Sequence, residues 1–336
     1  MLKTPEQLFK QFDRATELIQ ADLNCSYLDA FLENAENIVD GGKVRVEDDL
    51  PKSQTVIELE KIYSALNLYD QKPETIRRLL QLSLLKVIQK DTIQPNYQMT
   101  PDTIGMLIAY LIERVVKLDH SYSILDPVVG TGNLIDTVIN RLAESINQPV
   151  QAYGIDNDES MLAVASVGSQ LQRLPIQLFH QDAISNLDIP QVDLAVADLP
   201  VGYYPLDENA KNYQTRAEKG HSYVHHLLIE QTMNYLLPGG FAFFVVPSDL
   251  FQTKESQTFV NWIHSVAFLQ GFVNLPADMF NSQEGRKSIL ILQNHGGSAS
   301  QAEQVLLGSF PSLKEQRAFR NFMMEINQWV KSSLNR

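Results

Sequence analysis

Short apolar runs alternate with helical segments over the part of the chain that begins at Tyr122. The runs occupy residues 123–126, 151–156, 176–182, 192–198, 241–246, 268–275 and 288–293. Strands separated by helices at this spacing predict βαβ units, and therefore a mainly parallel sheet covered by helices. Only a loop separates the last two runs, too short for a crossover helix, so we expect the last strand to be antiparallel.

The N-terminal part of the chain has a different pattern, because its apolar residues recur at helical spacing with breakers at Gly41, Gly42 and Pro51. This pattern predicts two helical stretches joined by a turn. We therefore predict a helical domain over residues 1–95 and an α/β domain over residues 96–336.

The chain is acidic, with 27 Lys and Arg residues against 40 Asp and Glu residues and a net charge of −13. It lacks the broad basic surface of an independent nucleic-acid-binding protein, so DNA is expected to bind weakly without a partner. The acidic N-terminal domain is the expected contact with a protein partner or a second copy of the chain. One cysteine, Cys25, and no apolar stretch near the ~20 residues of a membrane helix predict a cytoplasmic protein without membrane contact.

Aspartates end the first four predicted strands, at Asp126, Asp156, Asp182 and Asp198. In an open α/β sheet the ligand crevice lies outside the carboxyl ends of the strands. One aspartate at such a place is common by chance, whereas four in succession predict a shared ligand site at this edge.

A glycine turn follows the first strand, where Gly130 and Gly132 allow a tight bend and the close approach of a ligand to the backbone. A dinucleotide fingerprint would have a third glycine at the position of Ile135, which disfavours NAD or FAD and hence a dehydrogenase. Asp156 is the type of carboxylate that holds two vicinal ribose hydroxyls. The pattern therefore favours a ribose-containing ligand other than NAD or FAD.

Four ordered motifs resemble those of a known family: Tyr97-Gln-Met-Thr-Pro101, Asp126-Pro-Val-Val-Gly-Thr-Gly132, Tyr153-Gly-Ile-Asp156 and Gln181-Asp-Ala183. Over residues 95–295 the chain resembles S-adenosylmethionine-dependent N6-adenine DNA methyltransferases. The resemblance is greatest to the modification subunits of type I restriction systems and their small stand-alone relatives in Gram-positive bacteria. It implies a Rossmann-like class I methyltransferase sheet, an N-terminal helical domain and S-adenosylmethionine as cofactor.

The resemblance also assigns roles to the cofactor-binding residues. Thr100 and Pro101 are expected around the methionine end of the cofactor, Asp156 on the ribose hydroxyls and Asp182 on the adenine amino group. The expected cofactor-binding set is Thr100, Pro101, Asp126, Gly130, Thr131, Gly132, Asn133, Asp156, Asn157, Asp182 and Ala183.

The segment Asp198-Leu-Pro-Val-Gly-Tyr-Tyr204 resembles the catalytic tetrapeptide of the family, which is Asn, Asp or Ser followed by Pro, Pro and an aromatic residue. The first residue and a backbone carbonyl accept hydrogen bonds from the target amine, and the aromatic ring holds the extruded base. Asp198 and Pro200 match, whereas Leu199 and Val201 depart from the pattern. The expected catalytic set is Asp198, Pro200, Tyr203 and Tyr204. The alternatives are a turn-capping aspartate and two packing tyrosines.

The segment that continues to His226 is rich in basic and aromatic residues, among them Lys211, Arg216 and Lys219. It could follow a nucleic-acid backbone or be a solvated loop. Its histidines lack partners at metal-ligand spacing, so no metal site is predicted. Only residues 294–336 follow the last predicted strand, so sequence-specific recognition of DNA is expected to come from another subunit.

Two functions remain open from the sequence. One is an amino-methyltransferase that acts on adenine in DNA or, less readily, on RNA or a protein amide. The other is a methyltransferase-like protein that binds the cofactor without catalysis and acts through partners.

Overall fold

The computed structural model describes residues 3–91, 99–117, 119–146, 148–253 and 255–334. Tyr97 and the predicted domain boundary at residue 95 lie outside these described residues, and the division into domains stays a prediction.

Four α-helices are present in residues 3–91 of the N-terminal region, where the sequence predicted two helical stretches. They are α1 Pro5–Leu23, α2 Tyr27–Val39, α3 Ser53–Leu66 and α4 Pro73–Lys90. The prediction was wrong because the apolar periodicity continues across two short breaks. Asn24 ends α1 in the left-handed conformation, and Asn67 does the same after α3.

One sheet of eight strands is present in the described residues, with the order β3-β2-β1-β4-β5-β7-β6-β8. The strands are β1 Tyr122–Asp126, β2 Val150–Asp156, β3 Ile176–His180, β4 Val192–Asp198, β5 Leu236–Pro247, β6 Ala267–Asn274, β7 Lys287–Asn294 and β8 Leu306–Ser309. β7 is antiparallel to both β5 and β6, as predicted for that run, and the additional edge strand β8 is parallel to β6. The predicted α/β class and mostly parallel sheet are confirmed.

Helices cover both faces of the sheet. They are α5 Asp102–Val115, α6 Asn133–Ser145, α7 Glu159–Gln172, α8 Asp207–Ala210, α9 Val224–Asn234, α10 Ser256–Val266 and α11 Gln316–Ser333. One apolar core joins α5, α6 and α11 to the sheet, and a second joins α9 and α10 to the opposite face. No helix in the described ranges is long and apolar enough to cross a membrane.

The N-terminal helices share a third core with α7. Leu80 of α4 belongs to the same buried cluster as Val164, Val167 and Leu171 of α7. Burial of this apolar surface fixes α4 beside the helices that follow β1 and β2. The N-terminal helices therefore contribute to the surroundings of the glycine turn.

The sheet order places the predicted ligand site at a topological switch point. Strand succession runs outward in one direction from β1 to β3 and in the other direction from β4. The crevice of such a sheet lies outside the carboxyl ends of the two strands at the reversal, here β1 and β4.

Candidate active site

The glycine turn connects β1 to α6 with two residues in the left-handed region, Gly130 at φ 52° and Gly132 at φ 83°. The backbone N–H of Gly130 donates a hydrogen bond of 2.8 Å to Oδ2 of Asp156. A Cβ atom at Gly130 would meet no atom within 4 Å, whereas one at Gly132 would lie 3.4 Å from Cβ of Ala165. The space beside Gly130 is therefore open to a ligand.

Asp156 ties this turn to the end of β2. Its Oδ1 accepts a hydrogen bond of 2.9 Å from the N–H of Asp158. Burial raises the pKa of Asp156, although these backbone hydrogen bonds act in the opposite direction. Each carboxylate oxygen keeps a second lone pair, which can accept a hydroxyl hydrogen bond. The neighbouring Asn157 is exposed.

Asp126 lies below the turn and is 1% exposed. Its Oδ1 accepts a hydrogen bond from the N–H of Val128 at 3.1 Å. Burial raises its pKa well above the usual value, and the charges of Asp156 and Asp198 contribute in the same direction. Its buried position suits support of the turn, and its expected place in the cofactor-binding set stays a prediction.

Asp182 follows β3 and is engaged on both oxygens. Oδ1 accepts from the N–H of Ile184 at 3.0 Å, and Oδ2 accepts from the hydroxyl of Tyr204. Burial and this hydrogen bond raise the pKa of Tyr204 to about 12. Tyr204 and Ala183 are both buried, so Tyr204 does not present its ring to an incoming base.

Tyr203 has the opposite environment. Its side chain is 62% exposed and stacks on Tyr223, with ring centroids 5.0 Å apart and an interplanar angle of 20°. A hydrogen bond to Tyr203 and burial raise the pKa of Tyr223 to about 12. Pro200 and Val201 are also exposed. Tyr203 is therefore the aromatic residue of this segment that a base could reach.

Asp198, at the end of β4, is held by two side chains from distant parts of the chain. Its Oδ2 accepts a hydrogen bond of 3.0 Å from Oγ1 of Thr100, and its Oδ1 lies 2.5 Å from Nζ of Lys287. The Asp198 and Lys287 side chains are 18% and 26% exposed. Pro101, which follows Thr100, is exposed. Each oxygen of the expected acceptor carboxylate thus already has one protein partner.

A chain of hydrogen bonds continues from Thr100 into the N-terminal helices. The carbonyl oxygen of Thr100 accepts from Nδ2 of Asn133 at 2.7 Å, and Oδ1 of Asn133 accepts from Nη1 of Arg77 at 2.9 Å. The Asn133 amide is therefore engaged inside the protein and does not face the open side of the turn. Thr131 borders a cavity of about 10 Å³ beside Arg77.

Arg77 is buried and forms ion pairs with two carboxylates. Its guanidinium donates to Asp102 at 2.7 and 2.9 Å and to Glu74 at 2.7 and 2.9 Å. Burial alone would lower the pKa of Arg77, but these hydrogen bonds outweigh burial and raise it. The charge of Arg77 is therefore retained in the interior, where it joins α4 to the start of α5.

The predicted basic loop carries as many acids as bases, with Asp207, Glu208 and Glu218 against Lys211, Arg216 and Lys219. Lys211 pairs with Glu208 and His221 pairs with Asp207, while Arg216 donates to the carbonyl of Tyr213 at 2.9 Å. These contacts favour a self-contained loop over a track for nucleic acid.

Two histidines predicted in that loop lie instead in α9. Burial lowers the pKa of His225 to about 4 and that of His226 to about 3, so both rings are neutral near pH 7. Within the described ranges, no group of three or more His, Cys, Asp or Glu side chains is placed to hold a metal ion.

A cleft of about 510 Å³ lies beside Asp198 and Lys287, at the same edge of the sheet. Its lining comes from the ends of β5, β6 and β8 and the start of β7, and includes Ser248, Asn274, Arg286, Lys287 and Ser309. These segments looked like scaffold in the sequence. The signal that could have revealed them is the basic pair Arg286-Lys287 at the start of the apolar strand β7.

The residues around the glycine turn fit a class I methyltransferase cofactor. The carboxylate of Asp156 retains lone pairs for ribose hydroxyls, and the backbone at Gly130 is open to a ligand. Asp182 can accept from an amino group only through its remaining lone pairs, because both oxygens already accept protein hydrogen bonds.

Comparison with known families covers both parts of the chain. The N-6 DNA Methylase model matches residues 95–327, which is more than half of the chain. The chain belongs to the N-6 DNA methylase family. The YtxK N-terminal helical domain model matches residues 6–88. The uncharacterized protein YtxK of Bacillus subtilis (strain 168) is 35% identical over 324 residues, covering 96% of this chain and 97% of that protein.

Solved structures have the same architecture. A Listeria monocytogenes protein described as a class I S-adenosylmethionine-dependent methyltransferase matches with a TM-score of 0.88 at 40% identity, covering 97% of this chain and 98% of that chain. The type I restriction-modification methyltransferase subunit of Streptococcus thermophilus matches in fold with a TM-score of 0.65 at 14% identity, covering 95% and 74%. The predicted class I methyltransferase fold is confirmed. This family and fold use S-adenosylmethionine as methyl donor.

Proposed function

We propose that the protein is an S-adenosylmethionine-dependent amino-methyltransferase that acts on the exocyclic amine of adenine in DNA. The observation that carries the proposal is the position of Asp198. It ends β4, which pairs with β1, and Thr100 joins it by a hydrogen bond of 3.0 Å to the segment that also contacts α6 through Asn133. A carboxylate able to accept from an amine is thus adjacent to the turn that fits the cofactor.

The chemistry of an exocyclic amine explains why this arrangement suits methyl transfer. The nitrogen lone pair is delocalised into the ring, so the N–H groups must donate to good acceptors as the new bond forms. Asp198 supplies one acceptor, and the backbone carbonyl of Pro200 is the expected second one. When bound, S-adenosylmethionine supplies an electrophilic methyl group. Asp156 would hold its ribose, and Asp182 its adenine.

A second function is favoured by a specific contact. The ammonium of Lys287 occupies Oδ1 of Asp198, and Val201 stands where the family has an aromatic residue. Both features weaken an acceptor site for a planar base. In this alternative the protein binds the cofactor, does not transfer the methyl group, and acts through a protein partner.

Calorimetric titration with S-adenosylmethionine, followed by transfer of labelled methyl to genomic DNA, RNA and cell protein, separates the two functions. We expect cofactor binding and slow transfer to DNA. The variant Asp198→Ala should lose transfer and keep cofactor affinity, because its loss falls on the transition state. The exposed Asp188→Ala is the matched control. Cofactor binding without transfer to any polymer would favour the second function, and no cofactor binding would refute both.

A further inference from the structure

The cleft beside Asp198 has the volume of a small-ligand site, about 510 Å³. It opens at the carboxyl ends of the parallel strands, and β7 brings its amino end to this edge because it runs in the opposite direction. The cleft therefore adjoins the acceptor end of the proposed active site through Lys287, which lines the cleft and pairs with Asp198.

The charged groups of the cleft favour an anion. Arg286 is exposed and forms no ion pair with any described residue, and Lys287 pairs only with Asp198 at the inner end. The acidic residue of the lining is Asp278, which accepts from Ser312 at 2.7 Å and lies 3.7 Å from Nζ of Lys314. Arg286 is thus the cation of the lining that is free to pair with a ligand.

Neutral donors complete the lining. Ser248 follows β5, and Ser309 ends β8. Asn274, which ends β6, donates to Oγ of Ser309 at 3.0 Å and leaves the Ser309 hydroxyl hydrogen for a ligand. A guanidinium, an ammonium and hydroxyl groups around one space form the donor set that proteins use for phosphate. The net charge of −13 makes such a local basic site necessary if the protein contacts a nucleic acid.

We propose that this cleft binds a phosphate group of the acceptor nucleotide through Arg286 and Lys287, and that binding transfers the Lys287 ammonium from Asp198 to the phosphate. The proposal rests on the proposed function, because it names the substrate group that opens the same site. Lys287 thereby has a positioning role: its ammonium stays paired with the acceptor carboxylate of Asp198 until a phosphate-bearing substrate is present.

The exchange leaves no charged group without a partner. Lys287 has a flexible four-carbon stem, so its ammonium can break the ion pair with Asp198 and form one with the phosphate. Asp198 then accepts from the N–H of the target amine and keeps its hydrogen bond from Thr100. An amine without an adjacent phosphate would meet a carboxylate whose charge is still neutralised by the ammonium and is therefore a weaker acceptor, so the ion pair favours nucleotides over free bases.

Calorimetric titration of the full chain with thymidine, thymidine 5′-monophosphate and a short oligothymidylate, at low salt without phosphate buffer, tests the subsite. These probes lack adenine and so do not compete for the cofactor pocket. We expect the phosphate-bearing probes to bind more tightly than thymidine, with affinity falling about tenfold or more in Arg286→Gln and in Lys287→Gln. If both the monophosphate and the oligomer lose affinity in these variants, one nucleotide suffices for binding. If only the oligomer loses affinity, the bound phosphate is part of a polymer.

Lys117→Gln is the control, since it removes an equal charge from an exposed lysine before β1, at the opposite edge of the sheet. Arg286 is exposed, so its variant should fold even where Lys287→Gln does not. Equal affinity in wild type and Arg286→Gln, or no binding of either phosphate-bearing probe, would overturn the proposal. The titration needs neither cofactor nor methyl transfer, so its result is independent of whether the proposed activity is found.

Discussion

Nη1 of Arg77 in α4 lies 2.9 Å from Oδ1 of Asn133, the first residue of α6 after the glycine turn. Since Asn133 also donates to the carbonyl of Thr100, whose hydroxyl reaches Asp198, the N-terminal helices are joined to the acceptor motif through three consecutive hydrogen bonds. The helical region is therefore a part of the active-site framework as well as a candidate surface for partners.

Replacement of Arg77 by Met should destabilise the protein by about 3 to 5 kcal/mol, because it leaves Glu74 and Asp102 without their buried partner. Urea unfolding measures the change. Arg78→Met is the matched control: the Arg78 side chain is 53% exposed and its one ion pair within the described residues is with Glu74, so the loss should stay below about 1 kcal/mol. Equal losses in the two variants would contradict a structural role for the buried network.

Asp156→Asn should weaken S-adenosylmethionine binding about 10- to 100-fold, because the charged acceptor for the ribose hydroxyls and for Gly130 N–H is lost. Calorimetry measures the affinity, and thermal unfolding reports whether the turn itself has changed. The exposed Asp188→Asn serves as control. Unchanged affinity in a folded Asp156→Asn protein would refute the ribose assignment.

Substitutions at the two adjacent tyrosines should have different effects, one on stability and the other on methyl transfer. Tyr204→Phe loses the hydrogen bonds to Asp182 and Asn209 and should cost about 1 kcal/mol of unfolding free energy. Tyr203→Ala removes a largely exposed ring, so it should lower methyl transfer with little change in stability. If Tyr203→Ala instead lowers only stability, Tyr203 is a packing residue of the loop and does not contact a base.

The pH dependence of stability should include a contribution from Asp136, whose burial raises its pKa to about 7. A carboxyl group with a raised pKa in the folded state stabilises the protein below its unfolded pKa of about 4, and this contribution is lost as the pH rises through 7. The free energy of unfolding of Asp136→Asn, compared with that of wild type, should therefore rise by about 2 to 4 kcal/mol between pH 4 and pH 8. Urea unfolding at both pH values, with Asp188→Asn as control, measures it. A difference independent of pH would contradict the assignment.

The isolated protein should bind random duplex DNA with a Kd weaker than about 1 µM at physiological salt, because its net charge is −13 and the 199–226 segment has as many acids as bases. Fluorescence anisotropy over a range of salt concentrations provides the measurement. Submicromolar binding that falls steeply with salt would instead reveal a phosphate-binding surface larger than the cleft beside Lys287.

Much of the fold could be predicted from sequence because its signals are local. The alternation of apolar runs and helices gave the strands that precede the site, and the antiparallel course of β7 followed from the short connection before it. The two missed helix boundaries lie at Asn24 and Asn67, where the backbone turns without any loss of apolar periodicity. Tertiary packing of both helix pairs on one core overrides that local continuity.

The sequence by itself determined the glycine turn and the aspartates at the strand ends, since each follows a strand directly and parallel strands end at one edge of the sheet. Only the tertiary structure decided which groups meet these aspartates and the residue that follows the glycine turn. Lys287 reaches Asp198 across 89 residues, and Arg77 reaches Asn133 across 56. Neither pairing leaves a periodic or local trace, because each depends on how β7 inserts between β5 and β6 and on how α4 packs against α6 and α7.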